Sequence, residues 1–284
     1  MKILIVGASS FIGYRIFNDL IKHNNLQIQG TYYKNKKNSS FKYLDITSKL
    51  SIFKILNDFR PDVVVWIAGS KNLTFCEKNI ENAKELNTYP IEKYVEISKK
   101  LNLKEHFIYF STDYIFDGQR GRYSDTDAPN PSTNYGLSNY LAELLIQKSF
   151  LRFSIVRISA VMGRGGSFFD WAVEALKNKE SIELFSDTYF TPTPIKLLIE
   201  NVIYIIKNKR LGVFNICGKD RLNRYEFINI LKSSDETFKA DLIPTKVSKN
   251  MPYMQYDLSM AASNFCNDLN NKDLVEYLIE ELKE

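Results

Sequence analysis

Cysteine and histidine are scarce in this sequence of 284 residues, which holds three cysteines and two histidines. Cys76, Cys217 and Cys266 form no C-x-x-C pair, and an odd number of cysteines does not predict a disulfide framework. We therefore expect a reducing, cytoplasmic location. Only His23 and His106 could supply imidazole ligands, so we predict no structural metal site.

Long apolar runs and dense blocks of one charge are also missing. No stretch approaches the roughly 20 apolar residues of a membrane-spanning helix, so we expect no membrane segment. The apolar run at residues 3–6 is short and meets a glycine, which predicts a buried strand and not a signal peptide. The net charge is +5 with lysines and acids interspersed, a mild bias that does not predict nucleic-acid binding.

Buried β-branched runs alternate with helical segments through the first 160 residues. We predict strands at residues 3–6, 26–32, 62–68, 106–111 and 154–159, and helices at residues 13–23, 48–59, 80–102 and 135–150. This order predicts an α/β fold with a Rossmann-type doubly wound parallel sheet. Residues 1–160 would form the dinucleotide-binding domain.

The pattern becomes less regular after Gly163. Helices are predicted at residues 168–177, 196–207, 224–232 and 273–282, with a short strand at residues 213–216. We expect residues 161–284 to form mainly a smaller, substrate-binding lobe, with some later segments returning to the first domain.

A turn of small residues, Gly7-Ala-Ser-Ser-Phe-Ile-Gly13, follows the first predicted strand and opens a helix. In that position, small residues let the backbone approach a pyrophosphate at the amides of the helix N-terminus. Ser10 stands where a middle glycine is usual, and its hydroxyl could donate to a phosphate. A strand–helix turn without a ligand is the alternative.

The end of the second predicted strand carries lysines where an NAD site usually carries an acid. Residues 30–37 contain Lys34, Lys36 and Lys37 and no acidic residue. An acid would hold the ribose hydroxyls of NAD(H), whereas lysines suit the 2′-phosphate of NADP(H). The pattern favours NADP(H) over NAD(H), unless the lysines only form a solvated loop.

Three further stretches carry a family resemblance: Phe110-Ser-Thr-Asp-Tyr-Ile-Phe-Asp-Gly118, residues 123–131 and Tyr135-Gly-Leu-Ser-Asn-Tyr-Leu-Ala-Glu143. With the glycine turn, they resemble the extended short-chain dehydrogenase/reductase family. Within it they resemble the dTDP-4-dehydrorhamnose reductase branch, whose hallmark is Ser-Thr-Asp-Tyr-x-Phe-Asp-Gly. The resemblance continues through residues 76–79, Asn87, residues 157–163, 187–193 and 211–218, Pro252 and residues 257–259.

The resemblance implies a role for particular residues. Thr112 would hydrogen-bond the substrate carbonyl, and Tyr135 would protonate its oxygen while nicotinamide delivers hydride to the carbon. The substrate would also contact Asp113, Tyr114, Phe116 and Thr191. The cofactor would contact Gly7, Ser9, Ser10, Phe11, Ile12, Gly13, Tyr33, Lys34, Asp45, Ile46, Ala68, Gly69, Ser111, Tyr135 and Ile158. Simple core packing is the alternative for Tyr114 and Phe116, and a loop cap is the alternative for Asp113.

The sequence departs from the family at one catalytic position. The family uses Tyr-x-x-x-Lys, which places a cation on the helix face that carries the tyrosine and lowers its pKa. Here that position is Asn139, and Lys148 lies nine residues further on. Asn139 would still contribute to the catalytic group by donating to a ribose hydroxyl.

These patterns predict an NADP(H)-dependent oxidoreductase that reduces a 4-keto-deoxysugar nucleotide in surface-polysaccharide synthesis. Because of Asn139, catalysis could be slow or absent. A non-catalytic, dinucleotide-binding homologue is one alternative, and the regulatory subunit of methionine adenosyltransferase is a relative of that kind. A nucleotide-sugar epimerase or dehydratase is another. The resemblance is also compatible with a homodimer.

Overall fold

The structure is a computed structural model that describes residues 1–248, 253, 255–269 and 271–284. The family match at Pro252 lies outside these residues. Up to residue 158 the elements are β1 (Lys2–Val6), α1 (Phe11–Leu20), β2 (Gln27–Tyr32), β3 (Lys42–Tyr43), α2 (Lys49–Phe59), β4 (Val63–Trp66), α3 (Leu73–Lys78), α4 (Ile80–Asn87), α5 (Tyr89–Lys100), β5 (His106–Thr112), α6 (Asn134–Gln147) and β6 (Arg152–Ile158).

The remaining elements include several very short strands. They are β7 (Val161–Met162), α7 (Ser167–Asn178), β8 (Ser181–Phe185), β9 (Tyr189–Phe190), β10 (Thr193–Pro194), α8 (Ile195–Asn208), β11 (Gly212–Ile216), β12 (Leu222–Asn223), α9 (Arg224–Ser233), β13 (Asp241–Thr245), α10 (Asn264–Leu269) and α11 (Leu274–Leu282). Among the residues that the structure describes, no helix is both long enough and apolar enough to cross a membrane.

The main sheet has seven strands in the order β11-β6-β5-β4-β1-β2-β3. β1 pairs in parallel with β2 and β4, and β4 pairs in parallel with β5. The order reverses direction at β1, which is the arrangement of a doubly wound sheet. All residues of β4 are buried, as expected for a strand that helices cover on both faces. The predicted α/β class with a Rossmann-type sheet is confirmed.

The chain divides into two compact units. The first contains residues Met1–Ile115, Pro129–Arg157 and Val202–Phe214, and the second contains Phe116–Ala128, Ile158–Asn201 and Asn215–Glu284. The core of the first unit includes Trp66, Tyr94 and Phe107 from β4, α5 and β5. The core of the second unit includes Phe169 and Phe227 from α7 and α9.

The single helix predicted over residues 80–102 is wrong, because the structure has two helices there. α4 ends at Asn87 and α5 begins at Tyr89, with Thr88 between them at φ −105° and ψ −57°. Pro90 lies in the first turn of α5, where its missing N–H costs nothing, whereas inside one continuous helix it would leave a carbonyl unpaired. The Thr88 hydroxyl donates to the Ser138 carbonyl at 2.7 Å and so joins this break to α6.

Candidate active site

The glycines at the two ends of the Gly7–Gly13 turn allow it to close against the end of β4. Gly7 has φ +90°, and a Cβ there would lie 2.9 Å from the Ala68 nitrogen. A Cβ on Gly13 would lie 2.3 Å from the Gly7 carbonyl oxygen. A side chain at either position would therefore displace the backbone of the turn.

Ser10, the N-cap of α1, uses its hydroxyl inside the turn. Its Oγ donates to the Gly7 carbonyl oxygen at 2.8 Å and accepts from the Gly13 amide at 3.1 Å. The structure therefore directs this proton to Gly7, and the expectation that Ser10 donates to a phosphate is not met in this geometry. The amides of Phe11 and Ile12 are the first two of α1, and neither has a carbonyl partner within the helix. They are the groups of this turn that suit an anion.

A cleft of about 500 Å³ opens beside this turn, within the first unit. The predicted cofactor contacts that line it are Gly7, Ser9, Ser10, Tyr33, Lys34, Asp45, Ile46, Ala68 and Gly69. Other residues also line the cleft but were not predicted from the sequence, including Thr31, Asn35, Thr47, Ser70 and Leu86. They carry no motif, and folding brings them to the carboxyl ends of the strands, where such clefts form.

The three lysines after β2 have different positions. Lys34 lines the cleft, with its Nζ 5.8 Å from the centre of the Tyr33 ring. Lys36 and Lys37 are not among the lining residues, and their Nζ atoms lie over the rings of Tyr32 and Tyr14. Of this cluster, the structure places only Lys34 where it could meet a ligand in the cleft.

Asp45, which follows β3 and lines the cleft, is held in one orientation by hydrogen bonds. Its Oδ1 accepts from the Thr47 amide at 2.8 Å and from the Thr47 hydroxyl at 2.7 Å. Its own amide donates to the Ser51 hydroxyl at 3.1 Å. These bonds fix the short turn that presents Ile46 to the cleft.

Polar and aromatic side chains meet where β5 ends. The buried Thr112 hydroxyl donates to Asp113 Oδ1 at 3.0 Å and accepts from the Tyr114 amide at 3.2 Å. The Thr112 side chain also influences the Tyr135 phenol, whose pKa it lowers. The rings of Tyr114 and Tyr135 pack edge to face, with centroids 5.4 Å apart. The structure thus brings together the predicted residues Thr112, Asp113, Tyr114 and Tyr135.

The environment of Tyr135 favours its neutral phenol. Burial raises the pKa of Tyr135 above its ordinary value of 10.0, and the nearby Asp113 and Tyr114 raise it further. The Thr112 side chain lowers this pKa in part. Tyr135 therefore keeps its proton at neutral pH and is in the form that can act as a general acid.

Asn139 is buried one helical turn after Tyr135. Its Nδ2 donates to the Tyr135 carbonyl oxygen at 2.8 Å, and its Oδ1 accepts from the Tyr109 hydroxyl at 3.0 Å. Behind this pair, Arg157 and Glu143 form a buried ion pair with N–O distances of 3.1 and 2.8 Å. The position that holds a cation in the family is therefore a neutral amide that ties α6 to β5.

A chain of hydrogen bonds connects the cleft to the helix that carries Tyr135. Asn87 accepts from the Ser70 amide at 2.7 Å and donates to the Ser138 hydroxyl at 3.0 Å. Ser138 in turn donates to the Tyr135 carbonyl oxygen at 2.9 Å. Ser70 lines the cleft, so one polar network fixes the cleft wall and the start of α6 together.

The other predicted site residues lie in different parts of the fold. Ser111 is buried near the end of β5, and its hydroxyl has no hydrogen-bond partner within the described chain. In the second unit, Phe116 is fully buried and stacks on Tyr123 at 4.3 Å. Thr191 is buried, and its hydroxyl bonds the carbonyl and the amide of Met260. Ile158 is the half-buried last residue of β6.

No group of three or more His, Cys, Asp or Glu side chains in the described ranges is arranged to hold a metal ion. The groups at the end of β5 that could take part in acid–base chemistry are the phenol of Tyr135 and the hydroxyl of Thr112. The amides of Phe11 and Ile12, at the start of α1, suit an anion beside the cleft, but Phe11, Ile12 and Gly13 are not among the residues that line it.

Residues 1–254 match the protein family described as RmlD substrate binding domain. The spore coat polysaccharide biosynthesis protein SpsK of Bacillus subtilis is 28% identical over 228 residues, which cover 80% of this chain and 76% of that protein. The dTDP-4-dehydrorhamnose reductase of Aggregatibacter actinomycetemcomitans is 24% identical over 283 residues, covering 94% of this chain and 90% of that protein.

A solved structure shows the same fold. The dTDP-4-dehydrorhamnose reductase of Bacillus anthracis, in complex with NADP, is 21% identical and aligns with a TM-score of 0.85. The alignment covers 99% of this chain and 98% of that one. The family match spans most of the sequence and confirms the resemblance carried by its motifs. The chain belongs to the RmlD substrate binding domain family.

Proposed function

We propose that this protein is an NADP(H)-dependent reductase of a 4-keto-deoxysugar nucleotide, acting in the cytoplasm in surface-polysaccharide synthesis. The observation that carries the proposal is a cluster of side chains: Thr112, bonded to Asp113 and Tyr114 at the end of β5, lies beside Tyr135 of α6, whose ring packs on Tyr114. A ketone needs a proton donor at its oxygen when hydride reaches its carbon, and a phenol that is neutral at the pH of the reaction can be that donor. The names of the relatives from Bacillus subtilis and Aggregatibacter actinomycetemcomitans support the pathway and the substrate class.

The residues around the cleft fit a dinucleotide. The amides of Phe11 and Ile12 would hold the pyrophosphate, Asp45 and Ile46 would flank the adenine, and Lys34 would meet a 2′-phosphate. The unpartnered hydroxyl of Ser111 is a further polar group near the carboxyl end of β5. When bound, NADPH supplies the hydride. The solved structure of the Bacillus anthracis relative is a complex with NADP, which supports this choice of cofactor.

The protein's own part in the reaction follows from its contacts. Thr112 would orient the substrate carbonyl, and Tyr135 would transfer its phenolic proton to the carbonyl oxygen. The product tyrosinate would lack the cation of the family's lysine, because Asn139 is neutral. Asp113 and Tyr114, which contact Thr112 and Tyr135, would meet the sugar. We expect reduction to be the favoured direction, since it starts from the neutral phenol.

The second unit carries a cleft suited to a diphosphate. The cleft has a volume of about 190 Å³, and its lining includes Arg122, Lys219 and Arg221. Arg221 is fixed by two contacts to one oxygen of Asp257: Nε and Nη2 lie 2.8 and 2.7 Å from Oδ2. We assign cofactor binding to the first unit and binding of the nucleotide diphosphate to the second.

Steady-state turnover tests the proposal. The purified protein at high concentration is mixed with NADPH and a dTDP-4-keto-6-deoxy sugar, and NADPH absorbance is followed. We expect oxidation that Tyr135→Phe reduces by a factor of about 100 or more, because general acid catalysis contributes roughly 10²–10⁴-fold. The absence of oxidation above background by the wild-type protein would contradict the proposal.

A second candidate function is that of a non-catalytic protein that holds a dinucleotide. The observation that favours it is the engagement of Asn139 in two hydrogen bonds at the position of the catalytic cation. This candidate predicts tight dinucleotide binding by calorimetry without turnover. It also predicts that Tyr135→Phe changes neither binding nor any measured rate.

A further inference from the structure

Glu77, a residue of α3, caps the helix that begins with Asn134 and Tyr135. One carboxylate oxygen of Glu77 accepts from the Asn134 amide at 3.0 Å, and the other accepts from the Tyr135 amide, also at 3.0 Å. The N-cap Thr133 accepts from the next amide, that of Gly136, at 3.0 Å. The first three amides of α6 therefore all have partners, and two of these partners are oxygens of one distant side chain.

This cap differs from those at neighbouring helices. α1, α2 and α4 are capped by their own N-cap side chains, which are Ser10, Ser48 and Asn79. A local cap stabilises its helix but does not tie the helix to another element. Glu77 is 58 residues from Tyr135 in sequence, so its carboxylate fixes the start of α6 relative to α3.

The hydrogen bonds that the Glu77 carboxylate accepts are charge-assisted, which makes them stronger than bonds between neutral groups. Backbone N–H groups that donate to an ionised carboxylate form charge-assisted bonds, and a negative charge at a helix N-terminus interacts favourably with the helix dipole. A second contact in the same place joins the Asn134 side chain to the Cys76 carbonyl oxygen at 3.4 Å. α3 is therefore attached to the first turn of α6 at more than one point.

Tyr135, whose amide donates to Glu77, is also the proposed proton donor. The amide that Glu77 holds belongs to Tyr135, whose ring packs on Tyr114, and the amide of Tyr114 donates to the Thr112 hydroxyl. A shift of the first turn of α6 would move the phenol relative to Thr112, which is anchored separately at the end of β5. Proton transfer depends steeply on such distances.

We propose that Glu77 is a positioning residue for Tyr135: its carboxylate clamps the first turn of α6 so that the phenol stays aligned with Thr112. This inference rests on the proposed function for its effect on turnover, whereas the clamp itself is independent of that function. The positioning role of Glu77 was not predicted from the sequence, because the residues around it do not show which amides its carboxylate will accept from after folding.

The test compares Glu77→Ala, which removes both acceptors, with Glu77→Gln, which keeps one. Asp273→Ala is the matched control, since Asp273 caps α11 and its loss removes a cap far from the site in sequence. The measurements are kcat, the KM for NADPH and for the sugar nucleotide, the melting temperature, and hydrogen exchange at the amides of Asn134 and Tyr135.

We expect Glu77→Ala to lower kcat by about 10- to 100-fold with KM values within about twofold, because misplacement of a reacting group by about 1 Å can cost roughly 10²-fold. Glu77→Gln should recover part of this loss. Exchange at the two amides should be faster in Glu77→Ala, and Asp273→Ala should lower the melting temperature without changing kcat.

Two results would overturn the proposal. One is unchanged exchange at both amides in Glu77→Ala, whatever the activity. The other is an active wild-type protein whose kcat falls equally in Glu77→Ala and Asp273→Ala, which would show a loss of stability alone. If the wild-type protein has no turnover but Glu77→Ala exchanges faster, the clamp is supported and the proposed function fails.

Discussion

The Tyr109 hydroxyl donates a 3.0 Å hydrogen bond to the side-chain oxygen of Asn139. This bond joins β5 to α6 at Asn139, four residues after Tyr135, where the motif of the family has a lysine. Burial and the nearby Glu143 raise the pKa of Tyr109 well above 10.0, so the hydroxyl remains a neutral donor. Asn139 therefore contributes a fixed dipole and two hydrogen bonds, but no charge, to the surroundings of Tyr135.

Asn139→Lys should increase turnover. A cation within about 4–6 Å of a phenol lowers its pKa by roughly one to three units, and each unit corresponds to about 1.4 kcal/mol. We expect kcat for reduction to rise by about tenfold or more, measured by NADPH absorbance. Asn139→Met, which changes the length without adding charge, is the control. Equal rates for the wild-type protein and both variants would show that the cation is not what limits turnover.

The rate of reduction should be independent of pH around neutrality. The acid form of Tyr135 is the active one, and burial first of all raises its pKa above 10.0, so the donor is lost only at strongly alkaline pH. The reverse oxidation needs the tyrosinate and should accelerate by about tenfold per pH unit, since the ionised fraction grows by that factor. An ionisation near pH 7 in the reduction profile would contradict the assignment of Tyr135 as the acid.

Lys34→Ala should change the choice of cofactor. Lys34 lines the cleft, and a 2′-phosphate distinguishes NADPH from NADH. We expect the KM for NADPH to rise by about tenfold, the effect of losing one charge-assisted contact worth roughly 1.5 kcal/mol, with the KM for NADH unchanged. Lys36→Ala, which removes a lysine that does not line the cleft, is the matched control and should change neither value.

Arg122→Ala should weaken binding of the sugar nucleotide. Arg122 is exposed at the basic cleft of the second unit, whereas the neighbouring Arg120 is paired with Asp127 outside it. We expect the KM for the sugar nucleotide to rise by about fivefold to tenfold with kcat nearly constant, the pattern of lost uniform binding. Arg120→Ala serves as the control. Equal KM values for the two variants would refute the assignment of this cleft to the diphosphate.

Acid should destabilise the protein through His106. Burial, followed by the charge of Arg152, lowers the pKa of His106 from 6.5 to about 4 in the folded chain. Its contribution to stability is therefore complete above pH 6.5 and lost as the pH falls towards 4. The full loss is on the order of 3 kcal/mol.

Denaturant unfolding at a series of pH values measures this dependence. His106→Gln should flatten the decline between pH 6.5 and pH 4. An identical decline in the wild-type protein and His106→Gln would assign the acid sensitivity to other groups.

The sequence predicted the sheet better than the helices that surround the site. Continuous apolar runs such as 62–68 identified central strands, because a strand covered on both faces has no polar alternation. The break at Thr88 was missed because apolar periodicity continues through it. β8 and β13 were missed because their pairing joins segments about 60 residues apart, and that pairing is not visible in local sequence.

The candidate site was predicted only in part, because motifs identify its residues but not the contacts that they make after folding. Thr112, Asp113, Tyr114 and Tyr135 belong to motifs and lie together in the structure, and their roles stay predictions. Local spacing could not show that the Ser10 hydroxyl turns back to Gly7, nor which groups Asn139 contacts. Those details depend on neighbours that come from other strands and helices.

Hydride transfer from labelled cofactor is the most direct test of the proposed reductase activity. The protein is incubated at high concentration with NADPH deuterated at the nicotinamide C4 and with a dTDP-4-keto-6-deoxy sugar, and the product is analysed by mass spectrometry and NMR. We predict one deuterium at C4 of the reduced sugar in the wild-type protein, more product with Asn139→Lys, and little with Tyr135→Phe. Undeuterated or unreduced sugar after long incubation with wild-type protein and Asn139→Lys alike would contradict the account.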